Sequence, residues 1–91
     1  MVMVRIPGPL RRITDNADRV NIEANSINSL VSELESAFAG MSERLLDESG
    51  KIRHFINIYV NGEDIQFLAG MDTELNSGDE VSIVPAVAGG S

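Results

Sequence analysis

The chain has no cysteine, no tryptophan and a single histidine, and only 4% of its residues are aromatic. Each shortage closes off chemistry. Without cysteine there is no disulfide, no thiolate nucleophile, no Fe–S cluster and no thiolate zinc site. One imidazole leaves little for a histidine-ligated metal, and no metal site is expected. No apolar run approaches the roughly 20 residues that a membrane span needs. No basic, apolar leader is expected, since the sequence enters directly into an alternating pattern at Met1. A soluble, cytoplasmic protein without a membrane partner is therefore expected. A chain of 91 residues supplies one core but not a deep cleft between two lobes, so a self-contained enzyme is the weaker expectation.

Positive charge is also scarce, and unevenly placed. The formal net charge is −7, and residues 60–91 carry six acids (Glu63, Asp64, Asp72, Glu74, Asp79, Glu80) and no base. Such a surface repels phosphate backbones and attracts a basic protein cleft, so no nucleic-acid partner is expected. A solvated surface that only maintains solubility is the plain alternative. Neither Glu63-Asp64 nor Asp79-Glu80 has the spaced oxygen ligands of a calcium loop, and turn chemistry accounts for both pairs.

What is present is a clear order of patterns. "MVMVRI" alternates, with Val2, Val4 and Ile6 on one face, until Pro7-Gly8-Pro9 stops it. After the polar stretch "RRITDNAD", Val20, Ile22 and Ala24 alternate again. Asn25 and Ser26 are good N-cap residues for a helix whose apolar stripe is Ile27, Leu30, Val31, Leu34, Ala37, Phe38 and Met41. Gly40 is expected to end it in a left-handed C′ conformation, with a further helical turn in "SERLLD". "HFINIYV" predicts a strand with Ile56, Ile58 and Val60 on one face and Phe55, Asn57 and Tyr59 on the other. Asn61-Gly62 turns it into a short strand around Ile65 and Phe67. "MDTEL" predicts one helical turn, "NSGD" a tight turn, and "EVSIVP" a last strand with Val81 and Ile83 inward. The order predicts an α+β fold, a mixed sheet of about five strands with one main helix across one face. The first and last strands should lie together at its centre.

Pro85 lacks the donor that would continue a ladder. Residues 1–85 are thus expected to form the domain and residues 86–91, "AVAGGS", a flexible tail. A terminal Gly-Gly-Ser alone is equally a plain linker. Over "VNGEDIQFLAGMDTELNSGDEVSIVPAVAGG", however, the turn, the last strand, Pro85 and the diglycine stand in one register. That run resembles the ubiquitin-like sulfur-carrier proteins of the thiamine, molybdopterin and cysteine pathways. "SERLLDESG" followed by "HFINIYVNGEDI" is most similar to the cysteine-pathway carriers and small archaeal modifier proteins.

The resemblance implies a ubiquitin-like β-grasp fold. It implies a carrier rather than an enzyme, though one that can count as the small subunit of a synthase. Its terminal Gly90 would be adenylated with ATP by an adenylyltransferase of the ubiquitin-activating type and converted to a thiocarboxylate. That group would pass sulfur to an accepting synthase, cysteine synthase-like or the large subunit of molybdopterin synthase. No cofactor would be held permanently, because ATP is used by the partner. The tail's composition suits threading down a narrow channel: Gly89 and Gly90 let the backbone approach closely, Ala86, Val87 and Ala88 are small but give apolar grip, and Pro85 fixes where the arm begins. Ser91 departs from the pattern. It is either a remnant of cloning or a natural extension that a protease, such as a metalloprotease, removes. A protein modifier joined to lysines through the diglycine, and a plain interaction domain, are the alternative readings.

A sheet covered by one helix leaves a face open. Met3, Phe55, Tyr59 and Val84 are expected to form an apolar patch there, as the docking surface for both partners. His54 is expected to be structural or solvated and to take no part in the chemistry.

Overall fold

Val2, Val4 and Ile6 are almost inaccessible to solvent while Met3 and Arg5 between them are not. This alternation is strand β1 (Val2–Arg5) in the computed structural model, which describes residues 1–85. It pairs antiparallel with β2 (Arg19–Ile22), in register Val2 to Ile22 and Val4 to Val20. The polar stretch between them folds as a 3-10 turn over Gly8–Leu10 and carries Leu10 into the core. Thr14, also buried, satisfies its hydroxyl by donating to the Ala17 carbonyl at 2.8 Å.

Helix α1 (Ile27–Ala37) begins as its sequence dictates. The Ser26 hydroxyl accepts from the Ser29 amide and the Ser29 hydroxyl accepts from the Ser26 amide, both at 3.1 Å, a reciprocal cap of the first turn. Ile27, Leu30, Val31 and Leu34 form the buried stripe. The helix stops earlier than the stripe suggests, because Phe38 is extended at φ −136°. Gly40 is indeed left-handed, at φ +95°, but as the residue before a second helix, α2 (Met41–Leu45), rather than as the end of the first. The Glu35 carboxylate accepts from the Gly40 and Ser42 amides at 3.1 and 2.9 Å. These bonds favour its ionised form and lower its pKa, the Ser42 amide most. The joint lets Met41 and Leu45 bury completely from a new angle, each worth on the order of 1.5–3 kcal/mol.

Strand β3 (Ile56–Val60) alternates as expected. Asn61 and Gly62, with φ of 52° and 88°, form the two-residue turn whose twist suits a hairpin. The returning strand β4 is only Glu63–Asp64, and Ile65–Phe67 is a 3-10 turn rather than the expected strand. Asp64 decides this: its carboxylate accepts from the Gln66 amide at 2.8 Å and starts the turn. Gly70–Asp72 makes another 3-10 turn where one helical turn is expected. Strand β5 (Glu80–Pro85) closes the sheet in the order β2-β1-β5-β3-β4. The helices cover one face, and the core lies between them and Val2, Val4, Ile56, Ile58, Val81 and Ile83.

Candidate functional site at the end of the central strand

Strand β5 is held on both sides. It runs parallel to β1, with Val4 beside Val81 and Arg5 beside Ser82, and antiparallel to β3, with Val60 beside Val81 and Ile56 beside Pro85. The β1 pairing ends at Ser82, so the last residues, Ile83 to Pro85, are held in the ladder by β3 alone. Alternation then does the anchoring: Val81 and Ile83 are buried under the helices while Ser82 and Val84 face away.

The start of β5 is fixed by a polar clamp. Gly78 takes φ +92° in the tight turn. The Asp79 carboxylate accepts from the Asn76 amide at 2.8 Å and from the Asn61 side-chain amide at 3.0 Å. Asn61 in turn accepts from the Glu80 amide at 3.0 Å and donates its own backbone N–H to the Glu80 carbonyl at 2.8 Å. Both carboxylate bonds favour the charged form, so the Asp79 pKa lies below its ordinary value, the Asn76 amide contributing most. Both ends of the strand that leads to the tail are therefore set by neighbouring elements.

Pro85 is the last described residue. Ala86, Val87, Ala88, Gly89, Gly90 and Ser91 lie outside the described residues, and so does the expected flexibility of the tail.

The four residues expected as one apolar patch are placed in three settings. Tyr59 is half-buried opposite Ser82, and Val84, 41% exposed, is opposite Asn57. Tyr59 and Val84 are thus diagonal neighbours on the open face, within reach of each other. Met3 lies on the same face but opposite Glu80, and the Arg5–Glu80 ion pair at 2.8 Å stands between it and Tyr59. Phe55 precedes β3 and is not in the ladder. Its ring meets His54 edge-on at 5.5 Å and lies 6.0 Å from the Arg53 guanidinium. It lines a groove of about 360 Å³ with Leu10, Arg44 and Pro85 at the sheet's end. The continuous patch is corrected to a Tyr59–Val84 pair, with Met3 set apart by charge and Phe55 set apart by the strand boundary.

One apolar feature escaped sequence reasoning, the exposed Phe67 and Leu68 of the turn after β4. Apparent alternation of Ile65 and Phe67 concealed it; the signal that could have exposed it was Asp64 as a turn-starting residue. Among the described residues, no group of three or more His, Asp or Glu is arranged to hold a metal ion, and no helix is long and apolar enough to cross a membrane.

The profile of the ThiS family matches residues 4–90. The chain belongs to the ThiS family. The sulfur carrier protein CysO of Mycobacterium tuberculosis is 45% identical over 91 residues, covering 98% of both chains. The crystal structure of M. tuberculosis CysO, described as an antigen, matches with a TM-score of 0.91 at 43% identity over 96% of this chain and 100% of that one. A further match is the BexX/CysO complex of Amycolatopsis orientalis, with a TM-score of 0.92 at 39% identity over 98% of this chain and 99% of its counterpart. The ubiquitin-like β-grasp expected from the sequence is the observed fold. Nearly the whole chain, tail positions included, takes part in the family likeness.

Proposed function

We propose that this protein is a ubiquitin-like sulfur carrier, acting in cysteine biosynthesis, whose reacting group is the α-carboxylate of Gly90. It is a substrate and donor rather than a catalyst, in keeping with relatives that are sulfur carrier proteins. The observation that carries this reading is the register of β5: a central strand, clamped at Asp79 and paired through Pro85, leads directly into "AVAGG".

In the proposed sequence an adenylyltransferase of the ubiquitin-activating type binds ATP. A Gly90 carboxylate oxygen attacks the α-phosphorus, pyrophosphate leaves, and an acyl adenylate results. A sulfide-level sulfur nucleophile then attacks the acyl carbon and expels AMP, leaving a thiocarboxylate. The thiocarboxylate sulfur adds to an activated carbon–carbon double bond of an acceptor held by a cysteine synthase-like enzyme, the π electrons passing to the adjacent carbon, which takes up a proton, so that no leaving group is needed. Water then cleaves the acyl–sulfur bond and regenerates the Gly90 carboxylate. This chain contributes a backbone narrow enough to reach the ATP site and a rigid base that sets the arm's length.

Ser91 must first be absent or removed, a task for a metalloprotease. The solved complex of a CysO with BexX supports a carrier that docks on a second protein. The open face bearing Tyr59 and Val84, flanked by Met3 and Phe55, is the proposed docking surface for both partners.

The test compares the forms ending at Gly90 and at Ser91 with the cognate adenylyltransferase. The first should support ATP–pyrophosphate exchange and, with a sulfur donor, gain the mass of one oxygen-to-sulfur replacement. The second should do neither until trimmed. Equal activity of both forms, or none in either, would refute the carrier reading. Lysine-linked conjugates in place of a thiocarboxylate would make the protein a modifier.

A further inference from the structure

Among the described residues Phe67 is the most exposed large apolar side chain, at 83%, and Leu68 beside it is 41% exposed. An exposed apolar residue is ordinary in a slack loop, but this turn is firmly built. Asp64 accepts from the Gln66 amide at 2.8 Å, Ile65 is buried beneath, and the Leu68 amide donates to the Ile65 carbonyl at 3.0 Å. The Ala69 amide donates at 3.1 Å to the hydroxyl of buried Thr73. The backbone on both sides of Phe67 is thus fixed before any partner arrives, which removes much of the ordering cost of binding through it.

Charge narrows what it fits. Residues 55–85 contain no Lys, Arg or His. Glu63, Asp64, Asp72 and Glu74 stand on the segments around the turn, and among the described residues none of the four makes an ion pair. An apolar knob on a segment whose acids make no ion pair among the described residues complements an apolar socket with a basic rim. The turn also begins beside the proposed docking surface. Asp64 lies directly across the ladder from Tyr59, so the Tyr59–Val84 face runs into the turn at the sheet's outer edge.

We infer that Phe67, with Leu68, is the anchor by which the activating adenylyltransferase recognises the body of the carrier, in an apolar socket rimmed by basic side chains. This rests on the proposed activation of Gly90. The arm itself, "AVAGG", offers small side chains that distinguish this carrier poorly from any other, so the enzyme that selects it must read the folded body. A rigid aromatic anchor on an acidic segment supplies both affinity and steering.

The experiment uses the form ending at Gly90 and measures ATP–pyrophosphate exchange while the carrier concentration is varied. Phe67→Ser should raise KM for the carrier by about tenfold or more, the scale of an anchor residue, and leave kcat unchanged. In the form ending at Ser91, which should not react, Phe67→Ser should weaken binding without ATP by the same factor. Glu63→Lys with Glu74→Lys should also raise KM and flatten its salt dependence. The urea midpoint should not move with Phe67→Ser, since no core contact is lost. No exchange by the unsubstituted protein would refute the carrier reading itself. Exchange with an unchanged KM in Phe67→Ser, or a fall in kcat alone, would overturn only the anchor. So would a Phe67-dependent dimer of this chain, or a defect confined to sulfur transfer to the acceptor.

Discussion

Ile83 and Val84 are adjacent on the central strand and face opposite ways, so truncating each in turn isolates what fixes the base of the tail. Ile83 is 3% exposed and packs in the core beneath the helices, whereas Val84 is 41% exposed on the open face. Ile83→Ala removes buried methyl and methylene groups and leaves a cavity beside Val81 and Ile58, at about 3 kcal/mol within a usual span of roughly 2–5. Val84→Ala forfeits only partly buried area and some strand propensity, below about 1 kcal/mol. For a domain of this size the first loss corresponds to a melting-temperature drop of roughly 12–24 °C. Urea unfolding followed by circular dichroism, with the slope required to stay constant, reads both values. Well below its melting temperature, Ile83→Ala in the form ending at Gly90 should still support ATP–pyrophosphate exchange, because the arm's length and composition are unchanged. Equal stability losses for the two variants, or a greater loss for Val84→Ala, would refute the assignment of faces on which the account of the site depends.

Tyr59→Asp places a charge on the open face but not in the core, so it should weaken binding to the adenylyltransferase by about tenfold or more with an unchanged fold, as measured by calorimetry; normal binding would move the interface elsewhere. Gly40→Ala meets no atom within 4 Å of its new Cβ but must hold φ +95°, so it should cost about 1–2 kcal/mol through the backbone alone, and a neutral effect in urea unfolding would contradict the left-handed joint. Glu35, Asp47 and Asp79 all have folded pKa values lowered from their ordinary 4.5, 3.8 and 3.8, chiefly by backbone amides of Ser42, Lys51 and Asn76 respectively. Their contribution to stability is therefore complete above those ordinary values and lost as pH falls below them through the lower folded values. Urea midpoints at pH 7, 5 and 3 should show the drop between 5 and 3, and Glu35→Gln, Asp47→Asn or Asp79→Asn should each reduce it.

The sequence by itself determined the elements whose residues obey one local period. Alternation in "MVMVRI", "INIYV" and "EVSIVP" marks strands with the observed inward faces, because a strand's side chains alternate whatever it packs against. The cap at Ser26 and the turns at Asn61-Gly62 and Gly78 were legible because hydrogen-bonding reach and positive φ belong to those residue types. The tail expected after Pro85, residues 86–91, lies outside the described residues. Tertiary structure decided where periods break. The left-handed Gly40 and the further helical turn were legible, but only the fold showed that α1 stops before Phe38 and that Gly40 opens the second helix, which buries Met41. Alternation in "EDIQF" competed with a local turn signal at Asp64, and only the structure shows that the turn prevails, the Asp64 carboxylate accepting from the Gln66 amide and Phe67 turning out to solvent. The open face was divided by an ion pair between Arg5 and Glu80, which are 75 residues apart in sequence and joined only by the parallel pairing of β1 with β5. A contact between distant residues depends on strand order and register, and no local pattern encodes either.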